Sequence, residues 1–188
     1  MASRSEGVRV PERSVESSAA AVEWAAIVGG ALAAVGVSII LFTLGSGLSL
    51  ATVSPWSFSN PSPTTFGMVA AIWLIITQWL ASALGGYLTG RLRTKWVGIR
   101  TDEVFFRDTA HGFLAWALAT VLVAAFFGLA AAAVTAVPES APNVSAEAAE
   151  EARRAAAAFS FFTALSLLIG AFIGSVAGAL GGYHRDEV

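Results

Sequence analysis

Charged residues are missing from long tracts of this chain and crowd together between them. No Asp, Glu, Lys, Arg or His occurs from Trp24 to Gly90, and two more uncharged tracts cover Gly112 to Pro138 and Ala155 to Tyr183. Crossing about 30 Å of hydrocarbon takes about 20 apolar residues of helix. The first tract is too long for one crossing, and Pro55, Pro61 and Pro63 break it, because prolines spaced so closely cannot sit inside a helix. The pattern predicts four membrane-spanning segments, at residues 24–50, 65–90, 110–137 and 155–183. Irregular backbone facing lipid would leave polar groups unpaired, so each crossing is expected to be helical. The expected fold is all-α: a polytopic bundle of four transmembrane helices within residues 21–188, with residues 1–20 as a disordered cytoplasmic tail.

Helix ends are legible beyond the crossings. Thr101 before Asp102 and Glu103 reads as an N-cap with first-turn acids, so the third helix should start before it enters lipid. Ser145 before Glu147, Glu150 and Glu151 reads the same way, and Glu150 and Arg154 stand at i,i+4. One helix from Ser145 to Tyr183 would be about 58 Å long, which leaves about three turns outside the membrane. Trp24, Trp56, Tyr87, Trp96, Phe105, Phe106 and Tyr183 fall near span ends, where aromatic rings favour the headgroup layer.

Composition agrees with a lipid solvent. Of 188 residues, 56% are hydrophobic and 13% charged, against about 25% charged in a soluble domain. The tail, with Arg4, Glu6, Arg9, Glu12, Arg13 and Glu16, is not a cleaved signal peptide by pattern, since the apolar stretch behind it is far longer than an h-region. The basic residues set an orientation. With both termini cytoplasmic, that side holds Arg4, Arg9, Arg13, Arg91, Arg93, Lys95, Arg100, Arg107 and Arg185, and the other only Arg153 and Arg154.

The chemistry available is narrow. Zero cysteines exclude thiolate metal sites and thiol nucleophiles, and two histidines, His111 and His184, make no ligand set of ordinary spacing. No phosphate loop or dinucleotide fingerprint is present, and a net charge of −2 supplies no basic face for nucleic acid. The expectation is therefore no catalytic residue, no metal, no cofactor and no nucleic-acid partner.

Two internal matches suggest a repeat. Ala83-Leu84-Gly85-Gly86-Tyr87 recurs as Ala179-Leu180-Gly181-Gly182-Tyr183 at an offset of 96, and Gly30-Ala31-Leu32-Ala33 loosely matches Gly112-Phe113-Leu114-Ala115. Two pseudo-repeated helical hairpins would explain both, and so would an Ala/Gly/Leu-rich composition alone. The sharper signal is a glycine zipper: Gly170, Gly174, Gly178 and Gly182 recur every fourth residue on one helix face. Ser82, Gly86 and Gly90 make a comparable small-residue face on the second span. Small residues let backbones approach closely in lipid. Such seams could pack one bundle, join protomers into an oligomer or line a permeation path.

Gln78 is the only amide deep in a span, and it is expected to make an interhelical hydrogen bond. Glu103, Arg107, Asp108 and His111 stand at i,i+3 and i,i+4 spacings where the third helix opens. They read as an interfacial charge cluster, solvated and self-neutralising, or as a proton relay or headgroup site. Arg91, Arg93, Lys95 and Arg100 read as a loop that sets topology and attracts anionic lipid.

The stretch GGYLTGRLRTKWVGIRTDEVFFRDTAHGFLAWALA at residues 85–119, with LGSGLSLATVSPW at 44–56, resembles a group of small bacterial inner-membrane proteins labelled PhnA-like. The resemblance covers residues 20–188 and implies a bacterial inner-membrane location. It carries no catalytic residue over, and the zinc-ribbon cysteines of true PhnA-type proteins have no counterpart here. The function expected is non-enzymatic: a structural or assembly protein that works in the lipid bilayer as a homo-oligomer or beside a membrane-protein partner. The alternative is a small oligomeric channel or transporter.

Overall fold

A computed structural model describes residues 21–54, 60–96, 98–135 and 145–187. Four helices account for nearly all of them: α1 Trp24–Thr52, α2 Pro63–Leu92, α3 Thr101–Thr135 and α4 Ala146–Asp186. Each is long and apolar enough to cross a membrane. The chain is thus a multi-pass, all-α four-helix bundle. Residues 1–20, 55–59 with Trp56, 97, 136–144 with Pro138 and Glu139, and 188 lie outside the described residues.

The helices extend past the expected crossings for local reasons. Pro63 occupies the first turn of α2, where its missing N–H costs nothing, and the Ser62 hydroxyl accepts from the Thr65 N–H at 3.2 Å. Ser145 caps α4 by accepting from the Ala148 N–H at 3.2 Å. Arg153 and Arg154 both reach Glu150, at 2.8 and 2.9 Å, so the first turns of α4 form a charged ledge that ends where the apolar stretch begins. Thr101 is one place off the cap expected of it: it lies in the first turn of α3, and the Val104 N–H bonds to the Arg100 carbonyl at 3.1 Å.

Small residues fill the interior and large ones face outward. The buried apolar positions are chiefly alanines, such as Ala31, Ala34, Ala81, Ala115 and Ala119, and among the described residues Ile27 is the one large aliphatic side chain that is fully buried. Leu50, Leu129, Leu168 and Phe172 are among the exposed ones. Lipid is as apolar as leucine, so no hydrophobic force drives large side chains inward, and close backbone packing decides the interior. α2 lies against α4 most extensively, α1 touches α2 and α3, and no contact joins α1 to α4 among the described residues.

Each hairpin crosses itself in the same way. In the first, a side chain at Gly30 would overlap the Gly85 carbonyl, and one at Gly85 would meet the Ala34 methyl at 2.8 Å. In the second, Gly112 faces the Gly174 carbonyl, and a side chain at Gly174 would meet Trp116 Cβ at 3.0 Å. Gly30, Ala34 and Gly85 therefore stand as Gly112, Trp116 and Gly174 do. The pentapeptide match would pair Gly85 with Gly181 instead, about two turns further along α4. Gly181 packs on the Tyr87 carbonyl in the contact between hairpins, so the two pentapeptides do different jobs.

Candidate functional site

The zipper face of α4 meets α3 in an antiparallel ladder. Gly174 lies against Trp116 and Gly112, Gly178 against Gly112 and the Asp108 carbonyl, and Gly182 against the Asp108 carboxylate. From the other side, Gly86 approaches the Gly174 carbonyl and Gly90 approaches the Gly178 carbonyl and the Gly182 amide. The glycines are thus occupied within one chain, with backbone of α2 and α3 on both flanks of α4. Ser82 turns its hydroxyl to the Gln78 carbonyl at 2.7 Å and stands beside Gly170.

Below the ladder, at the end of the bundle that carries Glu23, Arg93 and Arg185, the polar residues converge. Arg93 follows the last turn of α2, and its side chain is wholly buried. Its guanidinium pairs with Asp108 and donates to the Thr94 carbonyl at 3.0 Å, while Trp96 lies with its ring centroid 3.7 Å from the Arg93 Cζ. Arg185 approaches the same carboxylate at 3.7 Å and donates to the Gly90 carbonyl at 3.0 Å. A buried ion pair needs such added donors and stacked rings to offset the desolvation of both charges.

His111 is buried one turn deeper. Its Nε2 accepts from the Glu23 N–H at 2.8 Å, so the ring proton sits on Nδ1, which donates to the Arg107 carbonyl at 2.6 Å. The Glu23 carboxylate accepts from the Thr94 N–H at 2.8 Å. Glu23, Thr94, Asp108 and Arg185 thereby tie the start of α1, the end of α2, α3 and the end of α4 into one cluster.

The cluster read from the sequence splits in two. Glu103 and Arg107 do form an i,i+4 pair at 2.7 Å on the surface. Asp108 and His111 turn inward and bond to other segments, because the Asp108 side of α3 faces glycines and leaves room for Arg93 and Arg185 to reach it. Arg93, read from the sequence as part of a lipid-attracting basic loop, is likewise buried against Asp108. Sequence reasoning missed Arg93, Arg185, Glu23 and Trp96 as partners. The only available hint was that Arg93 lies at the very margin of an apolar span.

Nearer the middle of the bundle, Gln78 makes no hydrogen bond through its amide among the described residues, contrary to the expectation. Its Nε2 points at Gly170, where a Cβ would be 2.9 Å away, and a glycine has no side chain to answer it. Trp116 Nε1 and Ser82 Oγ converge on the same point, at 3.0 and 3.1 Å. A cleft of about 210 Å³ opens beside them, bounded by Ser38, Gln78, Trp116, Thr120 and Thr163 from all four helices. A second cleft of about 220 Å³ shares Ser38, Gln78 and Thr163 and reaches Thr77 and Ser166. At the far end of α1 and α2, an apolar groove of about 580 Å³ runs between Phe42, Leu48, Phe66 and Trp73. Its base is set by Gly45, which abuts the Trp73 indole, whose N–H donates to the Leu41 carbonyl at 2.9 Å.

Among the described residues no group of three or more His, Asp and Glu is placed to hold a metal ion. In comparisons with known proteins, no family model, curated protein or solved structure matches the chain.

Proposed function

We propose that this chain is a non-enzymatic protein of the bacterial inner membrane, with both termini cytoplasmic, that acts as a structural or assembly component. The observation that carries this reading is the double-flanked glycine ladder. Gly86 and Gly90 on one side and Gly112 and Asp108 on the other lock α4 into a close-packed half-bundle. Such packing gives a protein of this size one stiff shape to present to neighbours. The glycines are used up inside the protomer, so self-association or partner binding runs through the outward apolar faces, the α1–α2 groove foremost.

Particle mass in lipid nanodiscs tests the reading. The chain is 19.4 kDa, and a protein mass of two or more chains is expected. Val69 lies in the groove and is exposed, so Val69→Trp should lower that mass. A single-chain mass with no stoichiometric membrane-protein partner in gentle extracts would overturn it.

The channel reading is favoured by one feature, the mid-bundle clefts that receive side chains from all four helices and set a few polar groups among mostly apolar ones. Flux of small neutral solutes into proteoliposomes, lost in Gln78→Leu, would establish it. Flux no greater than in empty liposomes would remove it.

A further inference from the structure

Among the described residues, two buried polar atoms in the middle of the bundle have no partner. Trp116 Nε1 is buried without an acceptor, and Thr77, only 7% exposed, leaves its Oγ1 unbonded. An unanswered polar group in an apolar medium costs on the order of 1–3 kcal/mol, so native structures nearly always supply a partner. Both groups border the paired clefts. Trp116 lines the first and Thr77 the second, and Ser38, Gln78 and Thr163 belong to both.

A glycine, Gly170, stands against the polar atoms of three residues that line the clefts, Gln78, Trp116 and Ser82. Any side chain at Gly170 would run into Gln78 Nε2, Trp116 Nε1 and Ser82 Oγ. Three polar side-chain atoms thus converge on Gly170 at mid-span, and two of them, the amide and the indole, are donors with no acceptor among the described residues. Ser38 and Ser82 already donate to the Ala34 and Gln78 carbonyls, which leaves their oxygen lone pairs free to accept.

The walls are mostly apolar, with Val123 and Leu167 in both, and a few uncharged polar groups set among them select the ligand class. No residue lining either cleft carries a charge. An ion there would lack a countercharge at the depth where bare charge costs most, so the occupant is neutral. The unanswered donors require acceptor oxygens, and the serines and threonines suit hydroxyl groups. Clefts of about 210 and 220 Å³ are roomy enough for water and for a solute of a few heavy atoms. We propose that the clefts around Gln78, Trp116 and Thr77 are a binding site for a small neutral solute bearing hydroxyl or carbonyl oxygens, of the short-polyol kind, which displaces resident water. This site is independent of the assembly reading, since one chain supplies all of its lining residues.

The test uses the full chain in nanodiscs with glycerol as the probe. The indole N–H resonance of Trp116 is assigned by its loss in Trp116→Phe. Without glycerol it should show magnetisation exchange with water. With glycerol it should shift saturably, while the Trp96 indole stays still. Gly170→Leu should abolish both effects, and Gln78→Leu should weaken glycerol binding about five- to tenfold, the loss of one hydrogen bond. Thr163→Val, at a lining residue that is itself exposed, keeps the test open if Gly170→Leu does not fold, and it should weaken binding similarly. Three results would overturn the proposal. They are water exchange with no saturable glycerol shift, an equal shift in a folded Gly170→Leu protein, and a shift caused by chloride at lower concentration than by glycerol.

Discussion

Gly182 on α4 stands directly against the carboxylate of Asp108 on α3, so close that any side chain at 182 would occupy the space of the carboxylate oxygens. The last glycine of the zipper therefore serves an ion pair as well as a helix contact. It lets Asp108 lie between Arg93 and Arg185. Gly182→Ala should push Asp108 off Arg93 and leave a buried guanidinium without its partner, at a cost of about 3 kcal/mol or more. Unfolding by a denaturing detergent measures this, and an unchanged midpoint would show that the pair tolerates the displacement.

Asp108 and Arg93 should behave as a unit. Asp108→Leu alone strands Arg93, whose side chain is 0% exposed, and should cost about 3–5 kcal/mol. Adding Arg93→Met removes the stranded charge and should restore most of that loss. A double variant as unstable as the single one would mean that the pair is not what holds this end together.

The zipper glycines should matter to the folding of a single protomer. Gly178→Leu forces a side chain into the Asp108 carbonyl and the Gly112 backbone and should prevent stable folding even of monomers. Gly36 and Gly128 have open space around them, so leucine there should change stability by no more than about 1 kcal/mol. Circular dichroism and size-exclusion profiles of the three variants separate the cases. Folded monomers of Gly178→Leu would assign the seam to an interface between chains.

His111 should protect one backbone amide. Its Nε2 is the acceptor for the Glu23 N–H just before α1. In His111→Ala that amide loses its partner, and its hydrogen exchange should quicken about tenfold, while amides in the middle of α1 hold their rates. Equal exchange in both proteins would mean that the bond is not kept in solution.

How much of this was legible beforehand depends on the kind of residue. Uncharged tracts and prolines located all four helices, and Ser145 announced the start of α4. Thr101 was misplaced by one position because neighbouring residues can share the cap region. Asp108 looked like a member of a surface cluster, since i,i+4 spacing points to local partners and says nothing of Arg93 or Arg185. Gln78 promised a hydrogen bond, but its neighbour across the bundle is Gly170, which has no group to offer.

By itself, then, the sequence of this protein determined its solvent, its number of helices and its hairpin order, because burying charge in hydrocarbon is too costly to leave those choices open. It also marked the faces where backbones could come close. Only the tertiary structure decided which backbones those are: Gly178 against Gly112 and Asp108, Gly86 against Gly174, all within one chain. A glycine is equally small toward any neighbour, and lipid exerts no inward pull on leucine or phenylalanine. Packing in three dimensions therefore had to choose the partners.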